Sequence, residues 1–187
     1  MKKAVAFFVA IILVVGAFAG CGNNDTDKKS KPVSKSYEEV LDNFIKLLAG
    51  KDLNRDQAKT LQPEDYFSYM EKQGTDFSDY YTQVQKTVNT NANTLITAFG
   101  KDYTVSYEIT KDSKLNDEDQ AQATKRLNSA PWYDAGDLKE VHKLALEITI
   151  KGEKNSQTYD AEIQVMKLKN SWFILGYQCD ELESILN

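Results

Sequence analysis

At Gly100 the spacing of the apolar residues changes, and this change limits the chain to mixed architectures. Upstream, Tyr37, Val40, Leu41, Phe44, Ile45 and Leu48 recur three and four residues apart, the period of one helix face. Downstream, Tyr103, Val105, Tyr107 and Ile109 alternate with Thr104, Ser106, Glu108 and Thr110, the period of a strand with one buried face. Leu144, Leu146, Ile148 and Ile150 repeat the alternation, as do Tyr159, Ala161, Ile163 and Val165. Helices followed by strands predict an α+β domain.

Local signals place the elements. Ser36 and Glu39 form a capping-box pair that opens the first helix, and Gly50 supplies its stop. Residues 54–61 suit a short helix, and Pro63 with Glu64 and Asp65 suits the first turn of another that ends by Gly74. Ser78 begins a longer helix to about Phe99. Residues 117–129 return to helical composition before Pro131, and the run Asn116-Asp117-Glu118-Asp119 reads as its solvated start. Turns at Gly152 to Ser156 and at Lys169-Asn170-Ser171 separate the last three strands. Trp172 to Tyr177 is apolar on both faces, so it is expected to be central or covered, and Asp180 to Leu186 forms an amphipathic tail. Together these give helices packed on one face of a curved antiparallel sheet.

Ahead of the domain stands an export signal. Met1-Lys2-Lys3 is cationic, and Ala4 to Val15 is an apolar run too short for the roughly 20 residues of a membrane span. Phe18-Ala19-Gly20-Cys21 resembles the bacterial lipobox, with Phe18 departing from the commoner Leu. That resemblance implies cleavage between Gly20 and Cys21 and diacylation of the Cys21 thiol. The lipid would hold the protein on the extracytoplasmic face of the cell membrane, because two acyl chains give stable anchoring at about 0.8 kcal/mol per buried methylene. Residues 1–20 are thus read as signal peptide, and 21–35 as lipidated cysteine and flexible tether, rich in Asn, Asp, Lys and Ser. Residues 36–187 are read as one α+β domain.

Removing residues 1–20 takes Lys2 and Lys3 with it, so the formal charge of −5 becomes −7. An acidic domain is repelled by nucleic acid and by an anionic membrane surface, which argues against either as a ligand. With Cys21 committed to lipid, Cys179 has no partner in the chain and reads as a buried inert thiol at a strand end.

Three or four helices, a strand, a helix and a closing meander resemble the nuclear transport factor 2-like fold found in small lipoproteins of Gram-positive bacteria. The hairpin Lys169-Asn170-Ser171-Trp172 matches the Lys/Asp-Gly/Asn-x-Trp closing hairpin common there. The resemblance covers roughly Ser36 to Tyr177 and implies a cone of helices on a curved sheet. A cystatin-like arrangement is the alternative, opposed by the number of helices before the first strand. Several unrelated chemistries use the cone fold, so function has to be read from the site.

Candidate chemistry is sparse. His142, the single histidine, has no second His or Cys at ligand spacing and reads as a surface or capping group. Asp112, Lys114, Asn116 and Glu118 alternate, but Lys114 puts a cation among the ligands and no Gly follows, so no EF-hand is expected. Asp134 and Asp137 around Gly136 suit a turn. No nucleophile elbow or phosphate loop occurs, and Glu108, Glu147 and Glu162 fall on the polar phase of their strands. No metal or cofactor is expected.

The unusual feature is aromatic. Tyr66, Phe67, Tyr69, Phe77, Tyr80 and Tyr81 cluster before the sheet, and Trp132 and Tyr133 follow the helical segment at 117–129. They could line a mouth for an envelope protein, peptide or glycan, or they could fill the seam between helices and sheet. The sequence therefore favours a non-catalytic binding or interaction module. An enzyme of the same fold with a buried carboxylate, or an immunity-type or structural envelope lipoprotein, stands as an alternative.

Overall fold

Side-chain caps set where the helices begin. In a computed structural model that describes residues 36–134 and 136–186, Ser36 caps α1 (Tyr37–Leu48) by accepting from the Glu39 amide at 3.4 Å. Asn54 and Gln57 bond reciprocally ahead of α2 (Arg55–Thr60), and α3 (Glu64–Lys72) follows Pro63. Asp76 and Asp79 form a second reciprocal capping box, so α4 (Phe77–Phe99) starts one residue before the expected Ser78. Asp at the N-cap and at the third helical position satisfies two orphan donors, which Ser78 could not do from inside the turn. The expected signal peptide, its cleavage site at Gly20 and Cys21, and the expected tether lie outside the described residues.

α1 ends in a Schellman motif. Gly50 donates to the Leu47 carbonyl at 3.2 Å and Lys51 to that of Lys46 at 2.9 Å. The motif needs a left-handed residue, and Gly50 sits at φ 59°. A Cβ there would lie 2.2 Å from the Ala92 nitrogen of α4, so the same glycine also allows the two helices to touch.

The sheet is an antiparallel meander in the order β1-β2-β3-β4, from β1 (Thr104–Lys114), β2 (Leu138–Lys151), β3 (Ser156–Leu168) and β4 (Ser171–Gln178). α5 (Asp117–Leu127), capped by Asn116, is inserted between β1 and β2, and α6 (Asp180–Leu186) closes the described chain. β1 and β2 are both longer than their apolar alternation suggests. A bulge between Ile109 and Lys111 shifts the phase of β1, so Asp112 and Lys114 pair with Leu144 and His142. His142, expected beside a strand that begins at Leu144, is therefore inside β2. The β3–β4 turn is tight, with Lys169 at φ 53°.

The expectation of helices on one face needs correction. The inner face of the sheet, carrying Leu144, Leu146, Ile148, Tyr159, Ile163 and Trp172, packs with Leu41, Phe44, Val88 and Leu95 of α1 and α4. The opposite phase, Val141, Met166, Phe173 and Leu175, forms a second cluster with Ala123 and Leu127 of α5. Helices thus cover both faces, because β4 and the adjoining end of β3 are apolar on both sides. β4 is an edge strand rather than a central one, and it is covered twice.

Substituting Gly50→Ala forces a Cβ into the left-handed region and against the α4 backbone. It is expected to cost at least about 2 kcal/mol, read as a lower urea midpoint with an unchanged slope.

Candidate functional site

Aromatic side chains gather where α2, α3 and α4 meet the segment after α5. The Tyr66 ring lies 5.5 Å from Phe67, 6.2 Å from Tyr80 and 6.2 Å from Trp132, each edge to face. Phe67 meets Phe77 at 5.4 Å, Phe77 stacks on Tyr81 at 6.1 Å, and Trp132 meets Tyr133 at 6.4 Å. Tyr69 is half-buried and joins none of these ring pairs among the described residues. The Tyr80 hydroxyl donates to the Ala58 carbonyl at 3.3 Å and that of Tyr81 to Leu53 at 2.9 Å. Tyr66 and Tyr80 are buried, and burial raises both phenols above their ordinary value. The structure thus brings together seven of the eight rings, with two as core and the rest half-exposed. Cations cover the outermost pair: Arg55 lies 5.0 Å from the Phe77 centroid and 5.4 Å from that of Tyr81, and Lys59 lies 4.9 Å from Phe77.

A second, polar cluster stands at the inner-face end of the sheet where β1 finishes and β2 begins. Asp112 accepts from the Tyr37 hydroxyl at 2.8 Å, and its other oxygen is 2.7 Å from His142 Nδ1. His142 Nε2 faces Glu140 at 3.7 Å, and Glu140 is bridged by Lys114 at 3.2 Å and Lys167 at 3.3 Å. Tyr37 and Trp172 flank the imidazole, with ring centroids at 5.8 and 5.4 Å. The hydrogen bond to Asp112, reinforced by burial and the carboxylate charge, pushes the Tyr37 phenol up to about 12. Partial burial pushes the Glu140 carboxyl up, but the hydrogen bonds and charges of Lys114 and Lys167 outweigh it and hold the group below its ordinary value.

A carboxylate on Nδ1 fixes the orientation of an imidazole, which is the support that a general base requires. Sequence reasoning missed this cluster because its members come from α1 and all four strands. Only the bulge in β1 turns Asp112 to the face that carries His142.

The remaining candidates are dispersed. Glu108 and Glu147 are exposed, and Glu162 pairs with Lys143 at 2.7 Å. Asp134 accepts from the Gly136 amide at 3.1 Å, as a turn residue does, and Asp137 pairs with Lys169 at 3.2 Å. A polar groove of about 140 Å³ runs between α5 and the outer face, lined by Asp119, Gln122, Arg126, Lys143 and Gln164 among others. Among the described residues no group of three His, Cys, Asp or Glu side chains is placed to hold a metal ion, and no helix is long and apolar enough to cross a membrane. No protein-family model, curated protein or solved structure matches the chain.

Asp112 holds both Tyr37 and His142, so Asp112→Ala is expected to destabilise the domain by about 1–2 kcal/mol in urea titration. That is the lower part of the range for a lost partner, since Asp112 is one-third exposed and water replaces it in part. The stabilisation from Glu140 follows its depressed folded-state pKa. It is present above the ordinary value of 4.5 and is lost as the pH falls through the lower folded value. Glu140→Gln should therefore flatten the acid limb of a stability-against-pH curve.

Proposed function

We propose that this chain is a lipid-anchored extracytoplasmic protein whose single domain is a binding module of the nuclear transport factor 2-like kind. The observation that carries the anchor is Phe18-Ala19-Gly20-Cys21 directly after an apolar run of signal length. Residues 21–35 then span the distance to Ser36, where α1 starts, so the domain stands off the membrane on a short polar tether. The order of helices followed by a meander, and the tight hairpin at Lys169 to Trp172, support the fold assignment.

The surface best suited to a ligand is the pair Phe77 and Tyr81 with Arg55 and Lys59 over it. Half-exposed rings offer stacking area at low entropic cost, and the cations add recognition of carboxylate-bearing peptide or glycan groups. Cell-wall fragments and acidic envelope peptides are the ligand class this chemistry fits.

A second reading is favoured by one arrangement, the Asp112–His142 pair beside Glu140, which would give an enzyme of the same fold its base. His142→Ala separates the two readings. Ligand capture is expected to persist in that variant, whereas a hydrolytic or isomerising activity would vanish.

Two measurements test the first reading. Cys21→Ala should abolish incorporation of labelled fatty acid and leave uncleaved precursor; a normally lipidated variant refutes the anchor. Phe77→Ala with Tyr81→Ala should weaken retention of muropeptides or acidic peptides by about tenfold or more. Unchanged retention moves the binding surface elsewhere.

A further inference from the structure

The groove between α5 and the outer face of the sheet has a volume of about 140 Å³, far more than the roughly 10–15 Å³ that one water requires. One wall is a stripe of α5, on which Asp119, Gln122 and Arg126 stand three and four residues apart and so share a face of the helix. The other wall is the sheet, where Lys143 of β2 and Gln164 of β3 are register partners. Leu115 and Ala123 supply the apolar part of the lining.

The groove is polarised along its length. Asp119 lies in the first turn of α5 and Arg126 in the last, while Asp117, Glu118 and Lys125 of the same helix are not part of the lining. The helix dipole favours this order of charges, but it does not require that one of each sign face the groove. Lys143 is neutralised by Glu162 at 2.7 Å, so Asp119 and Arg126 set the polarity. At seven residues' separation they stand about 10 Å apart along the helix axis. Gln122 and Gln164, one on each wall, offer donors and an acceptor apiece, which complements the N–H and C=O of a peptide group.

We propose that this groove binds a short extended peptide with both termini free, its ammonium at Asp119 and its carboxylate at Arg126. The length follows from the spacing of the two charges, since an extended chain covers about 10 Å in about three residues. A single amino acid carries its two charges too close together to reach both side chains. Charge-assisted hydrogen bonds at the two ends give the site its selectivity, and the two glutamines hold the peptide groups between them. The groove lies on the opposite face of the sheet from α4, so it is a different surface from Phe77 and Tyr81 and does not depend on the lipid anchor.

The test is calorimetric titration of the full chain with trialanine, beside N-acetyl-trialanine, trialanine amide and free alanine. Trialanine is expected to bind one to one, and the other three about tenfold or more weaker, because each loses one charged contact. Two variants then assign the ends. Asp119→Asn should weaken trialanine by about tenfold and leave N-acetyl-trialanine unchanged, whereas Arg126→Gln should weaken trialanine equally and leave trialanine amide unchanged. Both side chains are exposed, so neither substitution removes a core contact. The peptide series with the parent chain decides the matter by itself: no saturable binding of trialanine, or equal binding of the blocked peptides, overturns the site. A variant response that does not follow the blocked end overturns it as well.

Discussion

Burial of the inner face of β2 and β3 against α1 and α4 is the constraint on which the rest of the molecule depends. Leu144, Ile148, Ile150, Tyr159, Ile163 and Val165 are each at most 1% exposed, and they meet Leu41, Leu95 and Phe99, which are likewise sealed. Each such side chain contributes about 1.5–3 kcal/mol on leaving water. Because strand side chains alternate, this one requirement sets the register of the two strands, and a slip by one residue would put the whole apolar set in solvent. The close approach of α1 to α4 at Gly50 is a consequence, since the two helices must share the width of one sheet face.

The same inner face carries a polar network at the end where β1 finishes and β2 begins. Once the bulge after Ile109 changes the phase of β1, Asp112 comes into register with Leu144 and reaches both Tyr37 and His142. Tyr37 is the first residue of α1, so this contact fixes the helix to the sheet at the point where the chain enters the domain. Tyr107 repeats the device one turn along, donating to Asp42. A charged network therefore anchors the helix to the sheet, and its carboxylates are engaged by Lys114, Lys167 and Tyr37.

Beside it, the aromatic seam joins α3, which has little apolar surface of its own, to α2 and α4. α3 buries only Tyr66 among its residues, yet that ring touches Phe67, Tyr80 and Trp132 and so ties α3 to α4 and to the segment after α5. Lys169, in the turn before β4, adds ion pairs to Asp65 of α3 at 2.8 Å and to Asp137 at 3.2 Å. Core formation and surface presentation are thus shared by one set of rings. Tyr66 and Tyr80 face inward, while Phe77 and Tyr81 remain available under Arg55 and Lys59.

By itself the sequence determined the element order, the helix stops at Gly50 and Gly100 and the strand alternations. Each of these depends on residues within one or two turns of each other, and local backbone and solvation preferences act at that range. It also indicated that Trp172 to Tyr177 would be central or covered, because apolar residues on both faces leave neither for water. Two other features were decided only by tertiary structure. The bulge that brings Asp112 to His142 depends on pairing with a strand some thirty residues away. The second helical layer depends on α5 folding back onto Met166 and Phe173. In each case the residues are distant in sequence, and only the closing of the core brings them together.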